Sequence, residues 1–262
     1  MQTLIITGGS SGIGQAAALH FATHGWRVYE LSRRQPAIAP PPSLTHITCD
    51  VTDAAQCHAA VRQVVEAEGR IDLLISNAGM GISGPLEFTT PADAHRLMEV
   101  NVHGAMNVVQ AVLPQMRSQH AGRIILVGSV AGVFSIPYQG WYSASKAALH
   151  ALAAALRNEV RPHGITVCCL QPGDVRTGFT AARQKSTAGL DVYPHAQRSV
   201  ATMERDEQHG LLPQSIARQL WSIAHRRHVC LYYVSGWQYW ALCLIARFLP
   251  STLVNKVVGW LY

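Results

Sequence analysis

The 262-residue chain has six cysteines, but none forms a Cys-x-x-Cys pair or stands at zinc-ligand spacing from a histidine. This argues against a structural zinc site and against a dithiol redox motif. The thirteen histidines are scattered without a cluster, so no metal site is expected from them either. Cys168 and Cys169 are neighbours in an apolar run and are expected to serve as small apolar residues on a buried strand. There is no internal repeat. No Gly-Lys-Ser or Gly-Lys-Thr follows the one glycine-rich turn near the start, which disfavours a nucleoside-triphosphate P-loop. The net charge is +6 with histidine neutral, yet pairs such as Arg33-Arg34 and Arg226-Arg227 are short and lack interleaved aromatics. No nucleic-acid partner is expected, and the basic balance fits an anionic cofactor or an anionic membrane surface. No secretory signal precedes the first predicted strand, which begins at residue 3, and the expectation is a reduced, cytoplasmic protein.

The chain does contain a regular alternation of short apolar runs and helical patterns. Strands are predicted at 3–7, 27–31, 45–49, 71–76, 123–128, 165–170 and 229–234, with helices near 13–24, 53–67, 91–117, 141–161 and 213–226. Such alternation implies a doubly wound α/β fold, a parallel sheet of about seven strands with helices on both faces. The proline-rich stretch Gln35–Ser43 is too short to separate domains and reads as a stiff surface loop.

Two motifs carry chemistry. Thr3–Thr7 leads into Gly8-Gly-Ser-Ser-Gly12-Ile-Gly14 and then an alanine-rich helix. This strand–turn–helix lets backbone N–H groups approach a phosphate beside the positive end of a helix. Further on, Tyr142 and Lys146 stand four apart, on one face of a helix. Free tyrosine titrates near pH 10, and an adjacent ammonium favours its phenolate, bringing proton transfer toward neutral pH.

With both motifs in place, the chain resembles the short-chain dehydrogenase/reductase family. Asn77-Ala78-Gly79, Asn101, Ser129 thirteen residues before Tyr142, and Pro172-Gly173 with Val175 and Thr177 match in order and distance, over roughly residues 3 to 235. The resemblance implies a Rossmann-type fold and hydride transfer between a nicotinamide and a carbonyl or alcohol carbon. It implies Tyr142 as general acid or base, Lys146 lowering the tyrosine pKa and binding the nicotinamide ribose, Ser129 orienting the substrate oxygen, and Asn101 anchoring a proton-relay water. The cofactor set it implies is Thr7, Gly8, Ser10, Ser11, Gly12, Ile13, Gly14, Ser32, Arg33, Asp50, Val51, Asn77, Ala78, Gly79, Tyr142, Lys146, Pro172, Gly173, Val175 and Thr177. Ser32 takes the position of the acidic residue that repels a 2′-phosphate, and Arg33 follows it, so NADP(H) is expected rather than NAD. Glu30 is acidic but lies two residues earlier, within the strand.

The resemblance also implies a flexible lid over the substrate after Pro172-Gly173. Here that segment runs from about Arg176 to Gly210 and is long and polar, with Phe179, Tyr193 and Met203 as apolar contacts. Val130, Phe134 and Tyr138 are further pocket candidates. These suggest a hydrophobic carbonyl or alcohol of steroid, retinoid or long-chain type. Alternatives are a 3-oxoacyl-carrier-protein reductase and, from another class, a non-catalytic NADP-binding sensor. A sugar-nucleotide epimerase shares the Tyr/Lys pair but is expected to need a larger C-terminal substrate region. The resemblance also implies a homodimer or homotetramer.

Val229 to Ala246 is a run of eighteen residues without a charge, at the lower limit for a membrane span. Its first residues are needed as the last strand, and Ser235, Gly236 and Gln238 interrupt it. Residues 1–236 therefore read as the catalytic domain. Residues 237–262 read as an extension of two short amphipathic helices broken at Pro250. Their apolar faces are expected to be covered by the same domain, by a partner subunit or by peripheral contact with a membrane.

Overall fold

A computed structural model describes residues 1–35 and 40–262; part of the predicted Gln35–Ser43 loop thus lies outside the described residues. The strands are β1 (Thr3–Thr7), β2 (Arg27–Ser32), β3 (Leu44–Thr48), β4 (Leu73–Ser76), β5 (Ile82–Ser83), β6 (Gly122–Val127), β7 (Ile165–Pro172), β8 (Gln184–Lys185) and β9 (Tyr232–Ser235). Seven of them form one parallel sheet in the order β3-β2-β1-β4-β6-β7-β9, while β5 and β8 pair separately. The order reverses direction between β1 and β4. In open α/β sheets that switch point is where a crevice opens at the strands' carboxyl ends.

Alternate residues of each strand serve opposite faces, and both faces are apolar because helices cover both. Ile5, Leu74, Ile124, Leu126, Val167 and Cys169 pack beneath α2 (Ala54–Glu68), α4 (Gly104–Gln119) and α5 (Gly140–Val160). Leu4, Ile6, Ile75, Ile125, Val127, Cys168 and Leu170 pack beneath α1 (Gly12–Thr23) and α8 (Pro213–Ala224). Cys168 and Cys169 thus fill opposite faces, and burial pushes both thiols up to about 12.

Local sequence explains the helix boundaries. Asp53 caps α2 by accepting from Ala55 N and Gln56 N, and Gly69 ends it in the left-handed region at φ 68°. Thr90 caps α3 (Pro91–Met98), whose first residue, a proline, needs no donor there. The single helix predicted at 91–117 is instead α3, a π-helical turn at Glu99–His103, then α4. A π turn inserts a residue into the ladder, and here it carries Asn101. The last strand begins later than predicted, at Tyr232, where its pairing with Cys169 of β7 starts.

Beyond the sheet lie α6 (Phe179–Ala182), α7 (Ala196–Gln208), α9 (Trp237–Ala246) and α10 (Ser251–Leu261). Among the described residues, no helix is long and apolar enough to cross a membrane.

The glycine-rich turn has no room for side chains. A Cβ at Gly14 would collide with the Gly8 carbonyl oxygen and stand 2.6 Å from Asn77 Nδ2. Because the first obstacle is backbone, Gly14→Ala should cost roughly 1–3 kcal/mol of stability, as overpacking does. Thermal melts of the two proteins test this, and an unchanged melting temperature would contradict the packing described.

Candidate active site

β1, β4, β6 and β7 are parallel neighbours, so their carboxyl ends lie along one edge of the sheet, and the loops that follow them carry most of the sequence-predicted residues. Thr7 Oγ1 accepts from the backbone N of Asn77 at 2.9 Å and of Ala78 at 3.0 Å. Asn77 Nδ2 returns bonds to the carbonyls of Thr7 (3.1 Å) and Gly8 (3.2 Å). The two loops are thereby locked together. Ser11 precedes α1 without a side-chain cap, which leaves the first N–H groups of that helix free to meet an anion. Gly12, at φ 56°, approaches Thr177, whose Cβ would lie 3.3 Å from a Cβ built on the glycine. Thr177 thus stands against the glycine-rich turn, whereas Val175 is buried in the core with Ile13 packed against the same cluster, and Pro172 ends β7 with Gly173 next to it.

This cradle, lined by backbone donors and crowded against added side chains, fits a dinucleotide pyrophosphate. The neighbouring β2 and β3 ends fit an adenosine moiety. Ser32 Oγ donates to the Arg34 carbonyl at 2.8 Å and carries no negative charge. The Arg33 guanidinium is largely exposed, 4.0 Å from the Asp50 carboxylate. Asp50 Oδ1 accepts from Thr52, and the Val51 carbonyl accepts from Asn107 Nδ2 at 2.8 Å. Glu30, by contrast, is buried within β2 and turned to His46, 2.5 Å away.

The second group of residues sits on and beside α5. Lys146 is buried and donates from Nζ to the Val127 carbonyl at 2.9 Å. Burial pushes this lysine down to about 8. Tyr142 lies one turn earlier, with the lysine ammonium 5.7 Å from its ring centre. Burial pushes the phenol up to about 12, while the Ser129 hydroxyl draws it the other way. Here the electrostatics depart from expectation. The predicted lowering of the tyrosine pKa by Lys146 does not govern it: desolvation is the largest influence, and the ammonium is turned toward the Val127 carbonyl.

Ser129 begins a short turn, accepting from Ala131 N at 3.1 Å and reaching the Pro172 carbonyl at 3.5 Å. Asn101 Oδ1 accepts from Met80 N at 2.8 Å, and its Nδ2 donates to the Met80 carbonyl and to Ser145 Oγ, each at 3.0 Å. Ser145 Oγ in turn donates to the Tyr142 carbonyl at 2.7 Å. Asn101 thus ties the β4 loop to the catalytic helix. A Cβ built at Gly79 would meet Asn101 Oδ1 at 3.3 Å and Lys146 Nζ at 3.7 Å, so all three surround one small space.

The lid covers this group. The Phe179 ring lies 5.8 Å from that of Tyr142. Arg183, buried, pairs with Glu207, whose other oxygen accepts from Thr180 Oγ1 at 2.5 Å. Of the predicted apolar contacts only Phe179 is shown against Tyr142. Tyr193 turns instead to Phe88 and Tyr138, and Met203 is buried where Gln139 Nε2 approaches its sulfur at 2.9 Å. Val130 is buried, and Phe134 is half-buried.

Two contributions escaped sequence reasoning. His150 extends the Tyr142–Lys146 stripe by one more turn, and burial beside the lysine pushes it down to about 4. The four-residue spacing was a legible signal for it. Tyr239 of α9 covers Gly173 and donates to Asp174 Oδ2. No local motif announces that contact, because it joins distant parts of the chain.

The family model described as short chain dehydrogenase matches residues 2–188. A 3-ketodihydrosphingosine reductase of Bacteroides thetaiotaomicron is 39% identical over 230 residues, covering 87% of this chain and 85% of that protein. Human 17-beta-hydroxysteroid dehydrogenase type 1 is 35% identical over 190 residues, covering 67% of this chain and 57% of that protein. A solved short-chain dehydrogenase from Streptomyces avermitilis superposes with a TM-score of 0.84 at 29% identity, covering 99% of this chain and 95% of that one. A Burkholderia phymatum short-chain dehydrogenase/reductase solved with NAD gives 0.80 at 27% identity, covering 94% and 93%.

The buried lysine yields a test. Its folded-state value of about 8 lies below the ordinary 10.5, so between these pH values the unfolded chain holds more protons than the native one. Stability then rises with pH through that window, and below it the buried ammonium is a cost. Lys146→Met should therefore increase the unfolding free energy at pH 7 by on the order of 1–3 kcal/mol after loss of the Val127 bond, with a higher melting temperature, and flatten the rise. Thermal melts from neutral to alkaline pH decide it. A clear loss of stability at pH 7 would contradict the assigned cost.

Proposed function

The chain belongs to the short-chain dehydrogenase/reductase family, and on that premise we propose that it is an NADP-dependent reductase or dehydrogenase of a hydrophobic carbonyl or alcohol. The observation that carries this reading is the grouping of Tyr142, Lys146, Ser129 and Asn101 beside a glycine-lined dinucleotide cradle.

A nicotinamide dinucleotide supplies or accepts the hydride when bound. The chain's own residues handle the proton and the geometry. In the reductive direction Tyr142 donates its phenolic proton to the carbonyl oxygen. A phenol held up at about 12 is protonated at neutral pH and so holds the proton to be given, while the positive charge of Lys146 is what eases its departure. Ser129 donates a second hydrogen bond to that oxygen and fixes it near Tyr142, an orientation effect. Lys146 supplies a positive charge that favours the phenolate once the proton has left. Asn101 fixes the loop and helix on which these groups stand. In a dry cleft beneath Phe179 each interaction is stronger than in water.

The choice of NADP over NAD rests on Ser32 and Arg33. No carboxylate of its own stands at position 32, and an exposed guanidinium follows. Asp50, at 4.0 Å from that guanidinium, is close enough to position it. The hydrophobic substrate class is supported by Phe179 over Tyr142 and by relatives named for a ketodihydrosphingosine and for a 17-beta-hydroxysteroid. A homodimer or homotetramer acting on the cytoplasmic side completes the proposal.

Two outcomes follow. Tyr142→Phe keeps the ring but removes the proton, so turnover of a hydrophobic ketone should fall at least ~100-fold, the typical worth of general acid catalysis, while NADPH still binds. Ser32→Asp with Arg33→Ala should reverse the preference toward NADH, each change contributing roughly 1–3 kcal/mol. Fluorescence titrations with both cofactors check this. Wild-type protein binding NADH more tightly than NADPH would refute the cofactor assignment.

A further inference from the structure

Outside the cleft, α9 and α10 form the largest unexplained surface. The helices and the turn between them present Trp237, Phe248 and Trp260, which are 77%, 82% and 74% exposed, together with Trp240, Ile245 and Leu261. Of the three coverings expected for these faces, the same domain meets only the inner side, through Tyr239 and Val258. The helices are nevertheless anchored. Tyr239 is fastened to Asp174 over Gly173, and Val258 is buried. An apolar face this continuous, on helices held in place from behind, calls for an outside partner.

Charge identifies the partner. Glu207 is the last acidic residue, and residues 208–262 contain Arg218, Arg226, Arg227, Arg247 and Lys256 with no aspartate or glutamate. Arg247, just past the end of α9, and Lys256 on α10 are exposed, and the Lys256 ammonium lies 5.3 Å from the Trp260 ring centre. Beside the end of α10, a cavity of about 990 Å³ is lined by Tyr138, Trp260 and Tyr262 and by His195, Arg198 and Arg205. A second copy of this chain would meet this surface with the same cations and no carboxylates on its own α9 and α10. An anionic lipid surface meets it with the opposite sign.

Length sets the orientation. The helices have 10 and 11 residues and are separated by Pro250. At about 1.5 Å per residue each is roughly half the thickness of a hydrocarbon core, so neither spans it. We propose that α9 and α10 lie in the plane of an anionic bilayer leaflet, their aromatic and aliphatic side chains in the interface and Arg247 and Lys256 at the headgroups. Tyr239, on the inner side of α9, joins this surface to the Gly173–Asp174 loop of the cleft. The inference stands on the tail alone and does not depend on the cofactor or the substrate.

The full chain should sediment with phosphatidylcholine vesicles containing phosphatidylglycerol, and much less with phosphatidylcholine alone. Arg247→Gln with Lys256→Gln should weaken that binding roughly tenfold or more, and added salt should act in the same direction. Trp237→Gln, Phe248→Gln and Trp260→Gln together should abolish it while leaving the melting temperature near wild type, since all three side chains are largely exposed. Wild-type protein that ignores both vesicle types would overturn the proposal. So would a vesicle-free oligomer in sedimentation velocity that the triple substitution dissociates, because the face would then be a protein interface.

Discussion

The buried ammonium of Lys146 is the constraint on which the active-site architecture turns. A charge out of water is costly unless it is held, and one carbonyl, that of Val127, holds this one at 2.9 Å. Its neighbours are arranged around the same cost. His150, one turn further along α5, is driven down to about 4 and stays neutral near neutral pH, so no second positive charge is added. Cys169, packed nearby, is pushed up to about 12 and stays a thiol. The lysine is therefore the one group of the three that carries a charge near neutral pH.

The second support is the lock between two loops. Thr7 and Asn77 exchange bonds across the switch point, and Asn101 reaches from a π turn to Met80 and, through Ser145, to the Tyr142 carbonyl. The cofactor cradle and the catalytic helix thus share a frame made of side-chain to backbone bonds. Such networks hold positions closely because each buried polar group has its partner. The lid, fastened by Arg183 and Glu207, then determines how dry the site is.

Much of this was legible in the sequence because it is encoded locally. The glycine spacing, the strand periodicities and the Tyr142–Lys146 interval each follow from the pitch of a helix or the pleat of a strand. Less was legible where the determining contact is remote. The π turn around Asn101 depends on contacts to Met80 and Ser145, not on its own helix propensities. The upward shift of Tyr142 depends on how densely the lid and sheet enclose it. Cys168 and Cys169 were readable as filler, yet their division between two faces follows from strand pairing. The tail helices were visible as amphipathic patterns, but only the fold reveals that Tyr239 points inward and Trp237 outward.

The proposed reaction moves a hydride to a hydrophobic carbonyl carbon in this cleft while Tyr142 moves the proton. Its most direct test is isotope transfer, with nicotinamide-deuterated NADPH incubated with a panel of steroid and long-chain ketones and the products read by mass spectrometry. The account predicts deuterium at the carbinol carbon of at least one product, dependent on the Tyr142 hydroxyl. Bound NADPH with no deuterium transferred to any ketone of either class would contradict it.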